Sequence, residues 1–494
     1  METLILTTSE EDIARAAEIL KNGGLVAFPT ETVYGLGANA LDPDAVRRVY
    51  LAKGRPSDNP MIVHIGEKAG LRELTDLMTR DMELLMDAIW PGPMTMVVPA
   101  KDIVPRVTTG GLDTVAVRMP SDEVARKLII ESGLPIAAPS ANLSGHPSPT
   151  TYRHCIDDLM GRVDAIICGA DCQVGIESTV IDMTGGDDRP PVILRPGIVT
   201  AERISQVIGR EVNLDPSLLK RPEIDRETGN PVTGQDFRPK SPGMKYKHYA
   251  PQAEMTIFRG PHEAVLRTIE SRKAQLEAQG KKVAVITYSD SEQETAAREF
   301  FARLRECDKD GTDVILASAL KEEGVGFSVM NRMFKSAGYN VEDVKEEKVM
   351  KLAIASDHGG FRLKEQIREY LGANHPELEV EDLGTYNEES VDYPVFGKLC
   401  GETVASGAAD LGIVCCGTGI GISIAANKVK GIRCALVTSV EMAHLAKEHN
   451  NANILALGGR TTEPELAFAM IEEWLKTEFG GGRHERRTDL LDEM

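Results

Sequence analysis

Between positions 341 and 349 the chain reads VEDVKEEKV, a short charged joint, and MKLAIASDHGG follows directly. Such an opening has the look of a fresh protein start. After it, five apolar strands recur at 352–356, 378–383, 411–415, 433–437 and 454–457, with helical stretches between them. Strict strand–helix alternation builds a parallel, doubly wound sheet that folds as its own unit. At 494 residues the whole is too long for one core, and about three domains are expected.

The stretch before the joint divides again. Residues 1–210 open on Ser9-Glu10-Glu11-Asp12, which resembles a capping box ahead of a helical stripe of Ile13, Ala17 and Leu20. Short apolar runs at 25–28, 61–65, 94–99, 114–118, 165–168 and 179–182 read as strands, giving a twisted α/β domain. Residues 211–252 are polar and proline-rich, as a linker is, and end SPGMKYKHYAP. Residues 253–340 read as a small Rossmann-like α/β domain, 341–349 as the joint and 350–494 as the third domain.

Charge and cysteines narrow the function. A net charge of −20 opposes broad nucleic-acid binding. The first 210 residues alone hold 20 Lys+Arg against 29 Asp+Glu. The eight cysteines form no disulfide framework, and Cys168 and Cys172 lack a second pair at zinc spacing. No apolar run would span a membrane, and METLILTTSEED lacks the order of a signal peptide, so a cytoplasmic protein is expected.

In the third domain, polar groups follow the strands: Asp357-His358, then Gly384-Thr385, then CGTGIG at 416–421, then Gly458-Gly459-Arg460. Open parallel sheets bind ligands at that rim. Gly417, Gly419 and Gly421 free successive amides to face an anion, a thiol at the loop's start is placed for a stabilised thiolate, and Arg460, Arg483 and Arg487 suit a phosphate. Together they suggest proton abstraction beside a carbonyl of a phosphorylated substrate. Cys415, one residue earlier, should face the other side of its strand.

DHGG at 357–360, DYP at 392–394, CGTGIGISIAANK at 416–428, EHNNAN at 448–453 and GGRH at 481–484 resemble ribose-5-phosphate isomerase B. The resemblance implies Cys416 as base, Gly417, Gly419, Ile420 and Gly421 as an enediolate cradle, and His449 and Thr418 as aids to ring opening. It also implies Asp357, His358, Tyr393 and Asn450 on the sugar, and Arg460, Arg483 and Arg487 on the phosphate. Ribose 5-phosphate is the implied substrate, with no cofactor and a homodimer whose sites are shared. Related enzymes take six-carbon sugar phosphates, which stands as the second reading.

The first domain has no Walker-type loop, but hydroxyls, amides and cations cluster in PTETVYGLG at 29–37, KGRPSDNP at 53–60, APSAN at 138–142, SPT at 148–150 and GIESTV at 175–180. Paired carboxylates are missing from these clusters, which favours binding a triphosphate and a zwitterion over hydrolysis. The motifs resemble the YrdC family of threonylcarbamoyl-AMP synthases, and SPGMKYKHYAP with the following domain resembles its two-domain branch. The implied substrates are L-threonine, bicarbonate and ATP with magnesium, no metal being held by protein side chains.

By the same resemblance Thr32, His64, Arg118 and Ser178 contact threonine. Lys53, Arg55, Asn59, Thr114, Ser140, Asn142, Ser148, Arg195 and Tyr249 hold ATP, with the 211–252 linker closing over the nucleotide. Ala138 departs from the pattern, standing where many relatives carry threonine. The product would pass to a separate transferase that modifies tRNA, without direct tRNA binding. The rival reading makes this half an RNA-binding module, and its acidic balance counts against duplex RNA.

Overall fold

Val26–Phe28 and Gly35–Asn39 pair antiparallel, and this hairpin presents the residues of its turn to a cleft. Glycine at 37 is required by contact: a Cβ there would lie 2.8 Å from both Phe28 and Ile136. The glycines that make GLGAN look like a loop are what let it pair as a strand, which is why sequence reasoning missed it.

The structure, a computed structural model, describes residues 2–219, 249–345 and 349–493. It separates into two units, Met1–Glu346 and Glu347–Met494. In the first, an eleven-stranded mixed sheet places Gly35–Asn39, Ile136–Ala137, Ile62–His64, Thr114–Arg118, Met94–Pro99 and Thr179–Asp182 side by side. Register sets His64 opposite Arg118 on parallel neighbours and Arg118 opposite Thr95 on antiparallel ones. Helix Glu10–Lys21 is capped by Ser9, whose hydroxyl accepts from the Asp12 amide. The Asp12 carboxylate accepts from the Thr7 amide and hydroxyl, so the box closes two residues earlier than expected.

A second, fully parallel sheet in this unit has the order Val283–Ile286, Val314–Ser318, Glu254–Arg259, Val341–Asp343. Its last strand corrects the expected joint: Val341–Asp343 is an edge strand, and its charged residues pair with Arg272 and Arg259 of the same domain. Charges on an edge strand are common because the outer side faces water. The expected linker also begins with structure, since Asn213–Leu214 pairs with Val192–Arg195. Of the segment expected to close over the nucleotide, residues 220–248 lie outside the described residues.

The second unit is a five-stranded parallel sheet in the order Glu379–Asp382, Lys351–Ser356, Leu411–Cys416, Ile454–Gly458, Cys434–Leu436. Cys415 and Cys416 enter different apolar clusters on its two faces, as strand alternation requires. Among the described residues, no helix is long and apolar enough to cross a membrane.

Candidate active sites

In the first unit a cleft is lined by residues from eight separate stretches of chain. Its floor is electrostatic. Arg118, almost fully buried at the end of its strand, donates to the Thr32 hydroxyl at 2.8 Å and pairs with Glu31 at 2.7 Å. Burial alone would raise the Glu31 carboxyl, but Arg118 outweighs it and holds it below its usual value. Beside them His64 sets Nδ1 3.2 Å from the Ile62 carbonyl. Burial and the Arg118 charge push it down to about 3, so the ring is neutral and Nε2 remains an acceptor.

The facing wall carries cations and amides. Lys53 donates to the Ser140 and Asn142 carbonyls, and burial holds its ammonium well below the usual range. The Ser140 hydroxyl donates to Asn142 Oδ1 at 2.5 Å, while the Asn142 amide donates to the Leu143 and His146 carbonyls at 2.8 Å. Arg195 donates twice to the Ser178 carbonyl, at 3.1 and 2.9 Å, and once to its hydroxyl at 3.1 Å. Tyr249 closes one side with its backbone at φ 65, its ring against Phe301 at 5.0 Å and the following amide donating to Gly145. A non-glycine residue in that region is held there by its surroundings.

In the second unit the carboxyl edge of the sheet gathers Asp357, Cys416, the loop 417–419 and Arg460. Asp357 accepts from the Gly360 amide at 2.9 Å. Glycines 359 and 360 let that turn press on the neighbouring strand's end: a Cβ at 360 would lie 2.4 Å from the Cys415 carbonyl. The Gly459 amide donates to the Cys416 carbonyl and the Arg460 amide to that of Gly417. Tyr393 lies over Gly421, where a Cβ would meet its ring at 2.6 Å. Helix Ile420–Ala426 starts at Gly419, so its first amides face this rim.

His449, Asn450, Arg483 and His484 occupy the opposite edge. His449 ends helix Val440–Glu448 and precedes Ile454–Gly458, so it sits where that strand begins. The Gly480 amide donates to the Glu448 carbonyl and so brings the 480–484 loop there too. The His449 and His484 rings stack at 4.2 Å, 5° from parallel. Arg483 Nε donates to His484 Nε2 at 3.1 Å.

A family model described as "Telomere recombination" matches residues 18–197, one described as "Threonylcarbamoyl-AMP synthase, C-terminal domain" matches 199–338, and "Ribose/Galactose Isomerase" matches 352–491. The threonylcarbamoyl-AMP synthase of Pyrococcus abyssi is 46% identical over 353 residues, 69% of this chain and 99% of that one. The ribose-5-phosphate isomerase B of Escherichia coli is 42% identical over 141 residues, 28% of this chain and 93% of that one. The chain belongs to the threonylcarbamoyl-AMP synthase family in its first unit and to the ribose/galactose isomerase family in its second. The crystal structure of the P. abyssi protein complexed with L-threonine superposes with a TM-score of 0.63 at 46% identity, covering 69% of this chain and all of that one.

In the synthase unit the cleft brings together Thr32, His64, Arg118 and Ser178 with Lys53, Arg55, Ser140, Asn142, Arg195 and Tyr249. Three expected residues do not line it. Thr114 lies at the other end of its strand from Arg118, about 13 Å away at 3.3 Å per residue. Asn59 is buried under Tyr50, which donates to its carbonyl, and Ser148 donates to Glu177 at 2.5 Å from behind the wall. Thr30, Ser144 and Glu177 do line the cleft, and sequence reasoning gave them no role. Thr30 and Glu177 stood inside quoted motifs, but nothing local separates a wall residue from its neighbours.

In the isomerase unit a single chain does not bring its expected residues together. Asp357, Tyr393, Cys416, Gly417, Gly419, Ile420, Gly421 and Arg460 stand on one side, as does Thr418. His449, Asn450 and Arg483 stand at the far edge, and Arg487 lies on the helix Glu485–Asp492 that follows. His358 turns its Nδ1 to accept from the Val391 amide at 3.2 Å.

Proposed function

We propose that this cytoplasmic enzyme carries two activities. The first unit forms threonylcarbamoyl-adenylate and pyrophosphate from L-threonine, bicarbonate and ATP, and a separate transferase uses the product on tRNA adenosine. The single observation that carries this is the convergence on one cleft of a buried Arg118–Thr32–His64 floor and a Lys53–Ser140–Arg195 wall. A neutral His64 acceptor and the Arg118 donor suit the ammonium and carboxylate of threonine. The cations and amides opposite suit a triphosphate, with Asn59, Thr114 and Ser148 contributing on the family resemblance alone.

Threonine's amine condenses with bicarbonate, a C–N bond replacing the C–OH bond with loss of water. The carbamate oxygen so formed attacks the α-phosphorus in line, breaking its bond to the β-phosphate and releasing pyrophosphate. The wall's positive groups offset the charge gathering on the leaving group. The cleft's wall carries one carboxylate, Glu177, and that is already claimed by Arg332 and Ser148. A magnesium ion would therefore be held by the triphosphate it arrives with. Incubating the purified chain with ATP, magnesium, L-threonine and bicarbonate should yield threonylcarbamoyl-adenylate by mass spectrometry only when all four are present. Folded protein that makes neither adduct nor pyrophosphate would defeat this reading and favour RNA binding.

The second unit interconverts ribose 5-phosphate and ribulose 5-phosphate. The Cys416 thiolate moves the proton between C2 and C1, and amides of residues 417–421 face the enediolate oxygens. His449 and Asn450, with the phosphate-binding Arg483 and Arg487, would come from a second copy, which is how a sheet with the two groups on opposite edges assembles one site. The exposed Val395, Leu399, Ile420 and Ile424 beside Tyr393 give that copy an apolar surface to cover. A coupled assay with ribose 5-phosphate against allose 6-phosphate separates the two sugar classes.

A further inference from the structure

Glu177 is a buried carboxylate on the wall of a cleft read above as a triphosphate site, where a bare negative charge would repel the ligand. Its partners come from three places. The Ser148 hydroxyl donates to one oxygen at 2.5 Å, the Tyr249 hydroxyl is hydrogen-bonded to it, and Arg332 Nε reaches the other oxygen at 3.1 Å. Arg332 belongs to helix Gly324–Ser336 of the small domain, 155 residues further along the chain, and has no exposed surface.

The same guanidinium also donates to the Pro196 carbonyl, next to Arg195, and to the Glu177 carbonyl at 3.3 Å. Ser328, one turn earlier, donates to the Gly197 carbonyl at 2.8 Å. Arg332 thus clamps both segments that carry Ser178 and Arg195. Lys335, one turn later on that helix, is pushed down to about 7 by burial and by the Arg332 and Arg195 charges.

We propose that Arg332 is a positioning residue of the synthase, fixing Glu177 and the Pro196 backbone so that Arg195 and Tyr249 are set for the triphosphate. The small domain is then a component of the nucleotide site, without touching the reacting atoms. This rests on the synthase reading above. Losing Arg332 strips the buried Glu177 of the guanidinium hydrogen-bonded to it, on a wall facing the phosphates, whereas the Arg118–Thr32–His64 floor keeps its own partners.

The test uses the full chain with Arg332→Met, Arg332→Lys and the double variant Arg332→Met/Glu177→Gln. It measures KM for ATP, threonine affinity by calorimetry without ATP, and the thermal midpoint. Arg332→Met and Arg332→Lys should raise KM for ATP at least about tenfold, while threonine affinity, which depends on Arg332 only through Ser178, should fall by a clearly smaller factor. The double variant removes both buried charges, so it should regain the thermal midpoint but not the ATP affinity, and it carries the test if Arg332→Met fails to fold.

An unchanged KM for ATP in Arg332→Lys, or ATP affinity restored together with stability in the double variant, would overturn the proposal and leave a packing role. Wild-type protein that makes no adenylate would overturn the synthase reading, and this inference with it.

Discussion

Cys416 and His449 stand at opposite edges of one parallel sheet. Cys416 ends its strand in register with Gly458, while His449 precedes the start of that same neighbouring strand at Ile454. Four residues of strand alone set them about 13 Å apart. A single chain cannot place both on one five-carbon substrate, so a shared site makes a complementation prediction. Cys416→Ala and His449→Asn should each be inactive as isomerases. Co-expressed or refolded together, they form mixed dimers in which one of two sites has both groups, and about a quarter of wild-type activity should return. No recovery from verified mixed dimers would mean that each site uses one chain only.

The two adjacent thiols separate structure from chemistry. Cys415 lies in the core on one face, fully buried, and burial raises its thiol beyond useful acidity. Cys416 opens the glycine loop on the other. Cys416→Ala should lower kcat for ribose 5-phosphate by a factor of about 100 to 10,000, the usual contribution of a general base. Cys415→Ala should keep kcat within a few-fold and lose about 1 kcal/mol of stability for its small cavity. Threonylcarbamoyl-adenylate formation should be untouched in both, and a rate assay on each substrate set checks the pair.

How far the sequence reached depended on whether a signal was local. The strands Met94–Pro99, Thr114–Arg118 and Thr179–Asp182 were legible as apolar runs, and the α/β class followed from their alternation with helices. Gly35–Asn39 was hidden because its glycines answer to Phe28 and Ile136, contacts that no local pattern announces. Val341–Asp343 was hidden because an edge strand carries charges like a joint's. The motifs named most residues of the synthase cleft, but Glu177 acquires its meaning from Arg332, far along the chain. The separation of His449 from Cys416 is topological, and follows only once the strand order is known.

Glu31 and Arg118 form an ion pair with both side chains buried. Breaking one half of such a pair is costlier than its net worth, because the other charge stays desolvated. Glu31→Gln should therefore destabilise the first unit by about 3–5 kcal/mol, and the released Arg118 should lose its hold on Thr32. Threonine affinity should fall more than ATP affinity, since the Lys53 and Arg195 wall is anchored elsewhere. Calorimetric titration with each ligand, and urea unfolding of the full chain, read the two effects separately.

His64 gives the first unit an acid-sensitive window. Its folded value is pushed down to about 3 from a usual 6.5, so the unfolded chain takes up a proton that the folded one refuses. Below 6.5 the unfolded state binds more protons, and stability must fall as pH falls, over the window from 6.5 down to about 3. At roughly 1.4 kcal/mol per pH unit the whole shift is worth several kcal/mol. Glu31, held low by Arg118, adds a loss of the same sign below its usual 4.5. The interval between 6.5 and 4.5 is thus free of the Glu31 contribution. His154, pushed down to about 4 by burial, shares that interval. A His64→Gln chain should consequently show a shallower fall of the urea midpoint between pH 6.5 and 4.5, with a residual slope from His154. A slope equal to the wild type's would mean that His64 is protonated in the folded protein, and its proposed role as a hydrogen-bond acceptor for threonine would fall with it.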